Sequence, residues 1–262
     1  MDVHDLIFQG ADYHYKGKFD EAIAKFQAAV RLDPKNEYAH NQLGILYAKK
    51  ERFDASFQQF NKVVQIDGRN TYALLWLGIL HLKQGSLNQG FEKFQTIIEI
   101  DPTNADAYYF LGAIYNFRHN TAKAIEYLKK ARDADSDEHD THYRLAQAFH
   151  NLDMTSNALL EYQRTLALKP SHTKAVNGIG WIYYNRGDRD AAVAEWKKTL
   201  KINPKDRDAI FNLAKAYNDL AWEAKESGRP REAISYWKRT LGVDPKNTAA
   251  LSYLKKYGNR ES

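Results

Sequence analysis

Small and apolar residues recur along this chain every 34 residues. Glycine or alanine occupies one position of the repeat, at Gly10, Gly44, Gly78, Gly112, Ala146, Gly180 and Ala214. The residue before it is mostly leucine or isoleucine, and the third residue after it is tyrosine, phenylalanine or histidine. These positions fall on one face of a helix.

A second apolar helix follows within each period. Its small residues are Ala22, Ser56, Gly90, Ala124, Ala158 and Ala192. Four residues later the side chain is mostly aromatic, as in Phe26, Phe60, Phe94, Leu128, Tyr162 and Trp196. Small residues let two helix backbones approach closely, and the rings fill the space beside that contact. A fixed period of this kind predicts stacked helix-turn-helix units.

Prolines and glycines divide the predicted helices. Proline disfavours a helical conformation in the residue before it, so the second helix should end at Asp33-Pro34, Asp101-Pro102, Asn203-Pro204 and Asp244-Pro245. Glycines mark the turn inside the pair at Gly17, Gly85, Gly187 and Gly228. The predicted units are 3–36, 37–70, 71–104, 105–138, 139–172, 173–206 and 207–247, followed by a capping helix at 248–257.

The seventh unit is longer than the others by 7 residues. The extra residues lie between Asn218 and Ser227, a stretch of good helix formers. We predict one continuous helix from Arg207 to about Ser227, two turns or roughly 10 Å longer than its neighbours. Its end should overhang its neighbours, and Trp222 should then either form an edge protrusion for a partner or pack on the turn of the sixth unit. A length variant without function is the alternative.

Composition narrows the class of protein. Charged residues make up 27% of the chain and cysteine is absent, which excludes disulfides and cysteine-based sites. The net charge is +5, but residues 1–138 carry 17 Lys and Arg against 19 Asp and Glu, and residues 139–262 carry 21 against 14. No run of apolar residues is long enough to cross a membrane, and no signal peptide is evident. We expect a cytoplasmic protein, unless a targeting segment has been removed, or a domain of a longer chain.

The pattern Leu-Gly-x-x-Tyr, seen in Leu43-Gly44-Ile45-Leu46-Tyr47 and Leu111-Gly112-Ala113-Ile114-Tyr115, resembles the tetratricopeptide repeat family. Gly68 and Ser136 depart from the family by replacing the terminal proline. The resemblance implies an all-α fold, a right-handed superhelical solenoid of antiparallel helix pairs that forms a single domain over residues 1–262. It also implies that the first helices line a concave groove.

Several residues of the first helices are apolar or amide side chains that the buried stripe does not use. We predict that they line a partner-binding groove: Asn41, Leu75, Ile79, Leu82, Tyr109, Phe117, Tyr143, Asn177, Trp181, Tyr184, Phe211 and Lys215. Aromatic anchors among amides suit an extended or helical peptide. Burial of part of this stripe by the superhelix itself is the alternative. Lys and Asn are too scattered here for the family's clamp on acidic C-terminal tails.

The sequence gives little evidence for a catalytic or metal-binding site. His139, Asp140 and His142 lie close together on one predicted helix, but His142 occupies a core position and no third ligand is evident. The acidic run from Asp133 to Asp140 lacks the spacing of a calcium loop. We predict no catalytic residue, no metal and no cofactor.

These observations favour a non-enzymatic scaffold that binds a peptide or protein segment in its concave groove. One alternative is a structural module that self-associates end to end, suggested by the abrupt start at residue 3 and the apolar final helix. RNA binding through the basic C-terminal half is a further alternative, which the apolar groove disfavours. Membrane insertion is not expected.

Overall fold

A computed structural model describes residues 2–257, and these residues form helices joined by short turns, without strands. The helices of the predicted all-α fold are α1 (Val3–Tyr15), α2 (Phe19–Leu32), α3 (Glu37–Lys49), α4 (Phe53–Ile66), α5 (Thr71–Lys83), α6 (Leu87–Ile100), α7 (Ala105–Phe117), α8 (Thr121–Ala134), α9 (His139–Asn151), α10 (Thr155–Leu168), α11 (Thr173–Asn185), α12 (Arg189–Ile202), α13 (Arg207–Glu226), α14 (Pro230–Val243) and α15 (Thr248–Tyr257). The all-α prediction is confirmed.

The chain divides into two compact units, residues 1–136 and residues 137–262. Within each unit, consecutive helices pack as antiparallel pairs, and each pair packs on the next. Met1 and residues 258–262 lie outside the described residues, and so do the two ends of the predicted 1–262 domain. A single continuous solenoid over the whole chain stays a prediction.

Local sequence sets where the helices begin and turn. Asn36, Asn70 and Asn104 each cap a first helix, because their side-chain oxygens accept the backbone N–H three residues on, at 2.9–3.0 Å. The turn between the two helices of a pair needs one residue whose backbone has a positive φ, in the left-handed region. Glycine supplies it at Gly17, Gly85, Gly187 and Gly228, and Glu51, His119 and Asp153 supply it in the remaining pairs.

The small residues do permit close approach of the helices. A Cβ on Gly44 would lie 2.6 Å from the ring of Phe60, and one on Gly78 would lie equally close to Phe94. Ser56, on the facing helix, donates a hydrogen bond of 2.7 Å to the carbonyl oxygen of Gly44. Phe60 and Phe94 are fully buried. In these two pairs, the ring packed on the glycine therefore forms the core.

The long helix of the seventh unit is present, as predicted. α13 runs for 20 residues from Arg207 to Glu226, with Ser227 at its C-cap. The predicted overhang is wrong, because the last two turns are covered. Ala221 and Ala224 are buried against Trp237 of α14 and Ala250 of α15. The described part of the capping helix runs from Thr248 to Tyr257, where it was predicted.

Trp222 does not project from the edge of the fold. Its indole is half buried and lies edge-on to Tyr253 at 4.6 Å and to Trp237 at 6.1 Å. Lys225 lies over the same ring at 4.3 Å. The cause is that α15 packs on the added turns of α13 and uses the tryptophan as part of its own interface.

Candidate binding groove

First helices of the unit 137–262 line an open cavity of about 560 Å³. Its lining comes from α9 (Tyr143, Gln147, His150), α11 (Lys174, Asn177, Gly178, Trp181) and α13 (Asp208, Asn212), with Tyr162 of α10 below them. Three of the predicted groove residues, Tyr143, Asn177 and Trp181, belong to this lining. A cavity of this size accommodates one or two large side chains of a ligand.

Aromatic rings form the apolar part of the cavity. Trp181 is half buried and lies edge-on to Trp196 at 5.6 Å and to Tyr184 at 5.3 Å, which holds its indole in place. Burial raises the pKa of Tyr143 and, more strongly, that of Tyr162. Both phenols therefore stay protonated at neutral pH and present an O–H group rather than a charge.

Charged and polar groups surround the rings. Lys174 and Asp208 are exposed, and Gln147 and His150 are half buried in the lining. The cavity thus combines an apolar floor with both a cation and an anion, which suits a peptide carrying an apolar side chain between polar groups.

Lys215 and Tyr184, both predicted for the groove, form one network with Asp219. The Tyr184 hydroxyl donates to Asp219 and accepts from Lys215, and the Lys215 Nζ lies 3.3 Å from Asp219 Oδ2. The Tyr184 hydrogen bond raises the pKa of Lys215 and keeps it charged. Asp219 was not predicted. Its carboxylate pairs with Lys215 and partly offsets the charge that this lysine presents to the groove.

Asn177 is committed to the fold rather than to a ligand. Its Oδ1 accepts from Thr199 Oγ1 at 2.9 Å, its Nδ2 lies 3.4 Å from Asp206 Oδ1, and the residue is 9% exposed. Asn41 holds the corresponding position in residues 1–136, and its Oδ1 is buried without a hydrogen-bond partner. For Asn177, the expected role as a ligand hydrogen-bonder is therefore corrected to a structural role, whereas for Asn41 it stays a prediction.

Leu75, Ile79 and Leu82 are not surplus to the core of residues 1–136. All three are half buried and pack against the cluster that contains Phe94 and Leu111. This packing against neighbouring helices accounts for their apolar character without a ligand, and their role in binding a partner stays a prediction.

The remaining predicted residues differ in exposure. Phe117 of α7 and Phe211 of α13 are strongly exposed, at 72% and 66%. Tyr109 is half buried, with its ring 5.2 Å from that of Phe110. Phe117 and Phe211 are available to a partner, each within its own compact unit.

Seven lining residues were not predicted as site residues: Gln147, His150, Tyr162, Lys174, Gly178, Asp208 and Asn212. Gly178 carried the one usable signal, since it adds a second glycine two residues before Gly180. The Tyr162 ring lies where a Cβ on Gly178 would be. A glycine at this point therefore lets the aromatic residue of the preceding helix reach the cavity.

Of the two histidines considered for a metal, His142 contacts Glu161 inside the fold. His142 is buried, and its Nδ1 lies 2.6 Å from Glu161 Oε2. Arg164 donates to the other carboxylate oxygen of Glu161 at 2.8 Å. His142 is thus a structural histidine, as the sequence favoured, and its Nδ1 is engaged by Glu161.

Profiles of tetratricopeptide repeats match most of the chain. One described as TPR repeat matches residues 10–51 and 180–220. Two described as tetratricopeptide repeat match residues 38–70 and 81–148. Together these matches cover more than half of the 262 residues. Among curated protein sequences, none matches the chain.

Solved structures share the fold. MamA is 29% identical with a TM-score of 0.56, and the match covers 62% of this chain and 95% of MamA. The C-terminal part of a TPR repeat-containing protein from Cytophaga hutchinsonii is 18% identical with a TM-score of 0.73, covering 93% and 97%. YrrB, described as a TPR protein with an unusual peptide-binding site, is 17% identical with a TM-score of 0.58, covering 71% and 96%. Within residues 2–257, no helix is both long and apolar enough to cross a membrane.

Proposed function

The chain belongs to the tetratricopeptide repeat family, and on that premise we propose that it is a non-enzymatic scaffold which binds a peptide segment of a partner protein in the cavity lined by α9, α11 and α13. The fold suggests a protein–protein interaction role in general. The choice of this cavity rests on one observation, namely two half-buried rings, Trp181 and Tyr143, at the floor of an open cavity of about 560 Å³.

The lining indicates what kind of segment would fit. An aromatic or large aliphatic side chain would pack on Trp181 and Tyr143, where buried aromatic anchors contribute most of the binding energy of an interface. Gln147 and His150 offer hydrogen-bonding groups beside it, and Lys174 and Asp208 favour a ligand with charges on both sides of the anchor. The peptide-binding site described for YrrB, which shares the fold, supports the same class of ligand here.

A peptide-display selection tests the proposal without a known partner. Peptides selected on the wild-type chain are measured for affinity to Trp181→Ala and Tyr143→Ala variants. Each substitution removes an anchor, and we expect binding to weaken about 5-fold to 30-fold, or roughly 1–2 kcal/mol. Circular dichroism should show an unchanged helical signal.

A Leu160→Ala variant is the matched control. Leu160 is an exposed apolar residue of α10 that does not line the cavity, so its loss should leave affinity unchanged. Equal affinity of all three variants, or loss of the helical signal together with binding, would contradict the proposal.

A further inference from the structure

Two histidines that depart from the repeat pattern meet in space. His172 is the N-cap of α11, a position that holds Asn36, Asn70 and Asn104 before other first helices. His139 is the first residue of α9. Neither histidine is needed by the packing of the repeat, because other residue types serve at the same positions. Their convergence is therefore particular to this pair of units.

Asp140 completes a cluster of three potential metal ligands. Its Oδ1 lies 3.3 Å from His139 Nδ1 and 3.7 Å from His172 Nε2, and ligand atoms of all three residues fall within 4.8 Å of one another. Ligands bound at about 2.0–2.2 Å around a tetrahedral zinc ion are separated by roughly 3.4 Å. Small side-chain rotations would bring the three atoms to that spacing.

His139 Nδ1 supplies an independent observation. This nitrogen is buried and has no hydrogen-bond partner, although the Asp140 carboxylate is close. Buried polar atoms are normally satisfied, and an ion is one explanation for an exception. We infer that His139, Asp140 and His172 form a binding site for a divalent transition metal such as Zn²⁺, with a fourth position open to water.

The chemistry of the ligands fits such an ion better than a hard one. Two imidazoles and one carboxylate are typical zinc ligands, whereas calcium and magnesium prefer oxygen ligands throughout. Lys169 opposes binding. Its ammonium donates to His139 Nε2 at 3.3 Å, which leaves the ring proton of the neutral imidazole on Nδ1, so metal binding at Nδ1 requires this hydrogen bond to break. The lysine also brings a positive charge close to the site. This charge predicts a moderate affinity.

Metal binding requires His172 to give up its hydrogen bond with the Ala175 N–H. Its Nδ1 now accepts the Ala175 N–H at 3.2 Å, which leaves the ring proton of the neutral imidazole on Nε2. When Nε2 binds the metal, that proton moves to Nδ1 and the cap bond to Ala175 is given up. The ion would then join the N-termini of α9 and α11. Tyr143, whose ring lies 4.6 Å from that of His172, connects the site to the cavity wall.

Calorimetric titration of the untagged full chain with Zn²⁺ tests the site. We expect equimolar binding by the wild type. His172→Asn keeps the cap, as asparagine does at other first helices, but removes the ligand, and His139→Thr introduces a residue found at the start of α5 and α11. Each variant should bind at least about tenfold more weakly.

His119→Asn is the control, because His119 is an exposed histidine in a left-handed turn that asparagine tolerates. It should bind Zn²⁺ like the wild type. The site is overturned if the wild type does not bind Zn²⁺, if either His172→Asn or His139→Thr keeps full affinity, or if His119→Asn loses affinity equally. Peptide affinity is measured separately, so the metal site can fail without the proposed function failing.

Discussion

At the scale of single residues, a hydrogen-bonded pair of asparagine and threonine occurs twice in the chain. It explains why the side-chain oxygen of a third asparagine has no hydrogen-bond partner. Asn177 accepts a hydrogen bond from Thr199, 22 residues later, and Asn218 accepts one from Thr240 at the same separation. Asn41 stands at the equivalent position, but the residue 22 positions later is Val63, which has no hydroxyl. The buried Oδ1 of Asn41 lacks a donor for this reason.

Val63→Thr should therefore stabilise the protein. Threonine has nearly the shape of valine and supplies the missing donor, so we expect a gain of about 1 kcal/mol in the free energy of unfolding. Chemical denaturation measures this change. Val64→Thr is the control, since that half-buried position has no facing asparagine in the repeat pattern and the substitution should destabilise by about 1 kcal/mol. A loss of stability in Val63→Thr would show that the pair does not form.

His81 is the one histidine among the aromatic residues that fill its position in the other first helices. Burial lowers the pKa of His81, and the nearby Lys93 lowers it further, while Glu92 acts in the opposite sense. Its Nδ1 is buried without a partner, and its ring lies 4.8 Å from Phe57. The folded state thus favours the neutral imidazole.

This preference makes stability depend on pH. The unfolded chain takes up a proton near pH 6.5, above the lowered pKa of the folded state. Stability is therefore full above pH 6.5 and declines as the pH falls through the folded pKa. His81→Tyr, which introduces the residue found at Tyr47 and Tyr115, should show a smaller decline than the wild type in denaturation curves below pH 6.5. If the stability of the wild type and of His81→Tyr changed with pH in the same way, the pH dependence could not be assigned to His81.

At the scale of helices, α13 carries two copies of the buried stripe. Leu213 and Tyr217 pack against Trp196 of α12. Ala221 and Ala224, which lie seven residues after Ala214 and Tyr217, pack against Trp237 of α14. Seven residues are close to two helical turns, so the second copy faces nearly the same way as the first. The insertion therefore continues the packing pattern and does not create a free end.

The capping helix depends on an aromatic stack over this second stripe. Tyr253 lies 5.0 Å from Trp237 in a stacked arrangement and 4.6 Å from Trp222. Tyr253→Ala should lower the free energy of unfolding by about 2–3 kcal/mol, since truncation of a packed aromatic ring leaves a cavity. Thermal unfolding measures the loss. Leu251→Ala, at an exposed position of the same helix, should change stability little, and comparable losses in both would argue against the stack.

At the scale of the whole chain, packing is local. Each helix contacts mainly its neighbours in sequence, as expected of repeat proteins, and residues 1–136 and 137–262 each form a compact unit. The energetic consequences of a substitution should stay near the site where it is made.

The double variant Val63→Thr/Tyr253→Ala tests this independence. The two sites share no partner, so their effects on the free energy of unfolding should add to within about 0.5 kcal/mol. Denaturant unfolding of both single variants and the double variant measures the coupling. A coupling of about 1 kcal/mol or more would indicate cooperation over a longer distance than the packing suggests.

The sequence by itself determined the helices and how each one pairs with the next. Period, caps and breakers act over a few residues, so the start of α13 at Arg207 and its length could be predicted without coordinates. The close contact of Gly44 with Phe60 likewise follows from small residues at fixed spacing.

Only the tertiary structure decided which of the side chains predicted for a partner make contacts within the fold instead. Asn177 of α11 found a partner in Thr199 of α12, and Lys215 of α13 found one in Tyr184 of α11. Trp222 was covered by α15, although its own helix gave no sign of this. The physical reason is that spacing fixes the face of a helix on which a residue lies, whereas burial and hydrogen bonding depend on which neighbouring helix covers that face.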